Sequence, residues 1–304
     1  MEISAPVVVV ANPTAGRGKA GKLIGKADAT LRQLRVEHQV LVTESPADME
    51  ATCRRVAGEG AGIVAVIGGD GTVSCAANGL IGTDAALAVL PAGTGDDFAK
   101  TIGAGTFDGA VRLLAAPKPV RIDAIRVTTD GVSRHFVNVA GAGFDSEVNE
   151  TANAMTVNLG GTGTYVAALM KTLSRFSPAS YALTLDDEPL DLDAMLVVVG
   201  NGISYGGGMK VLPDASLVDG RLDVCIVEAL SKAAFLRAFP KVFTGSHGTH
   251  PKVRLRTATS VTVRANRSMQ VYADGEHVGP LPATFEIVPG ALTVVAGPQA
   301  KGIR

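Results

Sequence analysis

The sequence predicts two folds in succession: a doubly wound α/β domain over residues 1–125, then an antiparallel β-sandwich over residues 126–304, with the extreme C-terminus a candidate to return to the first domain. Three observations carry this. Up to about residue 125, apolar runs rich in Val, Ile and Leu alternate with stretches of helical periodicity, the pattern of a parallel sheet covered on both faces. Beyond that point strand-like runs follow one another with turn residues between them. The length, 304 residues, is about twice that of a usual single domain.

In order along the first domain, PVVVVAN (6–12) is a buried strand, AGKLIGKADATLRQL (20–34) a helix and HQVLVTES (38–45) a second strand. PADMEATCRRVAGEG (46–60) begins at Pro46 and closes on glycine, as helix ends prefer. GIVAVIGG is the third strand, followed by a helix after GGDGT, then AALAVLPAG (85–93) as strand and FDGAVRLLAA (107–116) as helix. In the second half, RHFVNVA, SYALTLDD, AMLVVVGNG, RLDVCIVEA, KVRLRTATSVTVRA, MQVYADGE, ATFEIVPG and ALTVVAG are strand segments. Residues 231–243 and 164–176 are its helical candidates.

Composition narrows the function. At 46% hydrophobic and 19% charged the chain is typical of a soluble globular protein, and its net charge of −1 argues against wholesale nucleic-acid binding. A local basic cluster, Arg254, Arg256, Arg264 and Arg267, is either a solvated strand face or an attractor for anionic headgroups. Cys53, Cys75 and Cys225 lie far apart and form no zinc or disulfide framework, which fits a reducing cytoplasm. Glu2 stands where a signal peptide needs positive charge, and no run approaches 18 apolar residues, so lipid contact is expected to be peripheral. The five histidines show no metal spacing.

Gly16 to Gly21 matches the dinucleotide pattern G-x-G-x-x-G. Asn12 to Ala15 displace it from its strand, however, and in the overlapping G-x-x-x-x-G-K Leu23 replaces the hydroxyl that a P-loop needs. What remains is a turn presenting backbone N–H groups and the charges of Arg17, Lys19 or Lys22 to an anion such as phosphate. Ligands of open parallel sheets bind outside the strands' carboxyl ends. Those ends carry Asn12-Pro13, Thr43-Glu44, Gly68-Gly69-Asp70-Gly71-Thr72 and Pro91 to Asp97. Asp70 and Asp97 make sense beside phosphate when a divalent cation or its waters lie between. A plain strand-to-helix turn would explain GGDGT alone, but not its pairing with GTGDDF.

NPTAGRG, VIGGDGT and LPAGTGDDFAK resemble the nucleotide motifs of the diacylglycerol kinase catalytic family, the bacterial lipid kinases related to sphingosine kinases. NVAGAGFDSEV (138–148), GNGISYGGGMKVLPDASLVDGRLDV (200–224) and YADGEHV (272–278) resemble its later motifs in the same order. The resemblance implies ATP held at Asn12, Pro13, Thr14, Ala15, Gly16, Thr43, Gly68, Gly69, Asp70, Gly71, Thr72, Val73, Ser74, Cys75 and Thr94. It implies Asp70 and Asp97 in the network around phosphates and Mg2+, with the active site in the cleft between domains. It makes Glu276 the proton acceptor, supported by Asp274, and places a structural Mg2+ at Asp219 with the carbonyls of Ser216 and Arg221. A surface D-G hairpin turn and a D-G loop are the plain alternatives for these two segments, and Lys210 could equally reach phosphate or solvent.

One departure stands out: Asp96 occupies the position where the family commonly has Asn, adding negative charge beside the phosphates. The implied function is phosphorylation of diacylglycerol or a similar lipid at the membrane surface by a cytoplasmic, peripherally associated enzyme. A small-molecule kinase acting on NAD and an inactive nucleotide-binding regulator are the rivals. An edge strand of the second domain could pair two copies.

Overall fold

The computed structural model describes residues 6–16, 18–155 and 161–303, without the side chains of Asn153 and residues 161–165. The expectations placed on Glu2 and Arg17 therefore lie outside the described residues. The chain divides into two compact units, Met1–Ala124 with Pro289–Arg304, and Ile125–Val288.

In the first unit β1 (Val7–Ala11), β2 (His38–Val42), β3 (Ile63–Gly68) and β4 (Ala86–Pro91) form a parallel sheet in the order β2-β1-β3-β4. Every residue of β1, β3 and β4 is buried, which is why these strands read as unbroken apolar runs. Helices α1 (Lys19–Gln33), α2 (Pro46–Gly58), α3 (Asp70–Leu80), α4 (Asp97–Thr101) and α5 (Phe107–Leu113) complete the unit. Ser45 Oγ accepts the Asp48 N–H at 3.1 Å and Pro46 opens α2, so sequence chemistry sets that helix start. Helix α4 went unseen in the sequence.

The second unit takes up the end of β5 (Pro119–Thr129), then β6 (Val132–Phe136), β7 (Val139–Gly143), α6 (Phe144–Ala154), α7 (Gly161–Arg175), β8 (Ala179–Leu185), β9 (Glu188–Gly200), β10 (Leu222–Glu228) and α8 (Lys232–Ala238). Two 3-10 turns, Phe239–Phe243 and Ser246–Thr249, lead to β11 (Val253–Ala258), β12 (Ser260–Ala265), β13 (Gln270–Ala273), β14 (Glu276–Pro280) and β15 (Ala283–Val295). Strand β9 joins two arms of antiparallel ladder. Its first half pairs with β8, which leads on to β12 and β15; its second half lies between β10 and β7.

Val197, Val199, Val224 and Ile226 enter a core with Leu183, Val261 and Phe285 from the other arm. The intervening Val198 and Cys225 point into a second core beneath α6, α7 and α8, the period-two alternation of a sandwich sheet.

Three strand readings are corrected. RHFVNVA is two strands, because the N–H groups of Val137, Asn138 and Val139 donate to the carboxylate of Asp274. KVRLRTATSVTVRA breaks at Thr259, whose N–H donates to Asp186. ATFEIVPG and ALTVVAG are one strand, β15, continuous through Gly290; the Gly290 N–H donates to Asp123 at 2.8 Å. The end of β15 pairs in parallel with β4, Thr293 opposite Ala86.

Candidate active site

In the first unit the strand-end loops interlock through glycine. A Cβ on Gly16 would stand 2.5 Å from the Ala92 carbonyl oxygen, and one on Gly93 would stand 2.8 Å from the Cα of Gly69. These glycines bring the loops after β1, β3 and β4 together backbone to backbone. Asn12 shapes the first loop, its Oδ1 accepting both the N–H and the hydroxyl of Thr14, at 2.9 and 2.7 Å. Pro13 and Ala15 are half-buried there, and Gly16 is exposed with φ +59°. Thr43, just after β2, has a buried hydroxyl with no hydrogen-bond partner among the described residues.

Gly69 opens α3, so the first turn, Asp70 to Thr72, presents amides that lack intrahelical acceptors. Thr72 covers Gly68, where a Cβ would meet its side chain at 2.2–2.6 Å. Gly71 and Thr72 are half-buried, whereas Val73, Ser74 and Cys75 are buried in the helix.

The Asp70 carboxylate accepts the N–H of Phe98 at 3.2 Å and of Asp97 at 3.4 Å, so it caps α4. Burial first, and then the charge of Asp97, push its pKa up, against the pull of those two amides. Asp97 itself is buried. Asp96 sits in the left-handed region at φ 49°, and its Oδ1 accepts the Gly93 N–H at 2.9 Å. Asn tolerates that conformation and offers the same carbonyl acceptor, so Asp96 preserves the loop while adding charge. Burial raises its pKa; the Gly93 N–H, Lys100 and Lys19 oppose the rise. Lys19 and Lys100 also donate to the carbonyls of Gly93 and Gly95, leaving two cations beside the exposed Thr94.

These features suit a polyphosphate: interlocked glycine loops, the first turn of α3, two lysines and the orphaned Thr43 hydroxyl. Among the described residues no group of three or more His, Cys, Asp or Glu could hold a metal ion. A divalent cation here would have to share ligands with the phosphates.

In the second unit Asp274 and Gly275, at φ 51° and 84°, form the two-residue turn between β13 and β14, a geometry that demands positive φ at both positions. Asp274 is buried and its carboxylate clasps Val137, Asn138 and Val139 at 3.0–3.1 Å. Glu276, paired with Ala273 across the turn, is exposed. Asp274 and Glu276 thus face different surroundings.

Asp219 Oδ1 accepts the Arg221 N–H at 3.1 Å, and Ser216 Oγ accepts the Val218 N–H at 3.3 Å. The nearby Asp223 is pushed up to about 7 by burial and by the charges of Asp219 and Asp214, a surplus of negative charge that a cation would relieve. Lys210 is exposed. Within the basic cluster, Arg254 pairs with Glu228, and Arg267 contacts Glu147 and the Phe176 ring.

Sequence reasoning missed α6 and its buried Asp145. Phe144, Val148 and Ala152 at helical spacing could have revealed the helix. Burial pushes the Asp145 carboxyl up to about 7. Its Oδ2 occupies the space a Cβ on Gly141 would need. Beside it an apolar pocket is lined by Phe144, Leu169, Phe235, Phe239, Val242 and others.

Residues 6–127 match the family model of the diacylglycerol kinase catalytic domain, and residues 138–296 match that of the YegS C-terminal NAD kinase beta sandwich-like domain. A diacylglycerol kinase of Mycobacterium tuberculosis (strain H37Rv) is 37% identical over 95% of this chain and 94% of that protein. One from Bacillus subtilis (strain 168) is 27% identical over 91% of each. A crystal structure of a diacylglycerol kinase from Bacillus anthracis (strain Sterne) superposes with a TM-score of 0.76 at 24% identity, covering 97% of this chain and 98% of that one. It shares the fold.

Proposed function

The chain belongs to the diacylglycerol kinase catalytic family, a family of kinases, and from that premise we propose that it transfers the γ-phosphoryl group of ATP to the hydroxyl of diacylglycerol or a related lipid. Phosphatidic acid is the product when diacylglycerol is the acceptor. The observation that carries a lipid rather than a soluble acceptor is the apolar cavity of the second unit, which suits an acyl chain and offers little to a nucleotide.

In this reading Asn12, Gly16, Gly69 to Thr72 and Thr94 hold the phosphates with their amides and hydroxyls, while Lys19 and Lys100 offset charge. Asp70 keeps the start of α4 in place and, with Asp97, would interact with a divalent cation brought by the nucleotide or with its waters. Bound ATP supplies the phosphoryl group. Glu276 accepts the proton of the attacking lipid hydroxyl. Asp274 acts through the backbone of residues 137–139 as a positioning residue. Asp219, with the carbonyls of Ser216 and Arg221, would hold a second, structural Mg2+.

The description of the C-terminal family model as NAD kinase-like favours a second reading, a kinase of a soluble acceptor such as NAD. Incubation with γ-labelled ATP, Mg2+ and either diacylglycerol micelles or NAD separates the two. Label in the lipid supports the proposal, and label confined to NAD overturns it.

A further inference from the structure

Four of the six large apolar side chains exposed among the described residues lie on one helical layer of the second unit: Val166 and Met170 on α7, Leu236 on α8 and Phe243 in the following 3-10 turn. Their exposures run from 39% to 48%. They are not frayed core residues. The same segments bury Leu169, Leu173, Phe176 and Phe235 on their inner face, and Leu169 and Phe235 line the apolar cavity. The outer face is therefore a second apolar surface, left in water.

A side-chain hydrogen bond bridges α7 and α8. Val166, Met170 and Ser174 follow at intervals of four along α7, and the Ser174 carbonyl accepts a hydrogen bond from Lys232 in the first turn of α8. One turn on from Lys232 stands Leu236.

Charge identifies the occupant. Residues 161–178 and 229–252 contain no Asp or Glu, but carry Lys171, Arg175, Lys232, Arg237, Lys241 and Lys252, in a chain whose 28 basic and 29 acidic residues nearly cancel as a whole. Glu228 takes Lys252, and Arg175 bonds Thr151. Lys171, Arg237 and Lys241 are exposed, and among the described residues no carboxylate pairs with them. Exposed apolar side chains set among unneutralised cations match a bilayer surface with anionic headgroups, where chains enter the acyl boundary and cations meet phosphates. A second copy of this chain would have to bury those like charges against each other.

We propose that the outer face of α7, α8 and the Phe239–Phe243 turn is the surface by which this protein docks on an anionic lipid bilayer. The inference deepens the lipid-kinase reading and rests on it only for its purpose. Binding is read without turnover.

The experiment is flotation of the full chain with vesicles of phosphatidylcholine containing about a third phosphatidylglycerol, and with pure phosphatidylcholine vesicles. Wild type is expected to float with the anionic vesicles and to bind the neutral ones at least tenfold more weakly. Arg237→Glu/Lys241→Glu should lose more than tenfold in partition, since each basic residue near such a surface is worth about fivefold. Leu236→Ser/Phe243→Ser should lose binding while keeping the wild-type Tm. The proposal is overturned if wild type floats with neither vesicle, if it binds both equally, or if folded variants bind as well as wild type. It is equally overturned if the variants abolish a dimer seen in sedimentation velocity and leave flotation unchanged. Turnover of detergent-solubilised diacylglycerol, measured in parallel, reports separately on the kinase reading.

Discussion

Asp274 and Glu276 stand on either side of Gly275 in one tight turn, yet the first carboxylate is buried against three backbone amides and the second is in solvent. Two acids so close in sequence therefore have separable roles. Asp274→Ala removes the acceptor of three buried N–H groups and should lower stability by about 3 kcal/mol or more, seen as a reduced denaturation midpoint. Glu276→Gln should leave that midpoint unchanged.

Asp96 offers a test of the phosphate loop. Asn at this position can keep the 2.9 Å contact with the Gly93 N–H while removing a charge beside the expected phosphates. Asp96→Asn should therefore tighten ATP roughly fivefold by calorimetry, about 1 kcal/mol for one screened charge. Lys100→Ala should weaken it by a similar factor.

Asp145 makes stability depend on pH. Its folded pKa of about 7 lies above the ordinary value of 3.8, so the folded state holds a proton that the unfolded chain releases first. The stabilising contribution is complete below pH 4 and is lost as pH rises through 7. At about 1.4 kcal/mol per pKa unit, wild type should lose up to about 4 kcal/mol between pH 4 and 8 relative to Asp145→Asn, measured by urea unfolding at each pH.

The loop around Asp219 predicts a cation effect independent of turnover. Mg2+ should raise the Tm of nucleotide-free protein, as any ligand of the folded state does. Asp219→Asn should abolish the rise. An unchanged rise would place the cation elsewhere.

How much of this was legible in the sequence depends on the range of the interaction. Strands β1, β3 and β4 announce themselves because burial on both faces leaves only apolar residues. The break between β6 and β7 is invisible locally, since its cause, Asp274, is 137 residues away. Gly69 and Gly93 signal a close approach, but only the fold shows that they approach each other. YADGEHV marks Asp274 and Glu276 together; their opposite environments follow from a turn that two residues alone could not specify against an extended strand.

The most direct test of the lipid-kinase account is transfer of γ-labelled phosphate from ATP to diacylglycerol in mixed micelles, with wild type and Glu276→Gln compared alongside their ATP affinities. The account predicts label in the lipid with wild type, a loss of about 10²–10⁴-fold in kcat for the variant, and an ATP Kd within about twofold of wild type. A variant that turns over like wild type, or a wild type that labels no lipid, would contradict it.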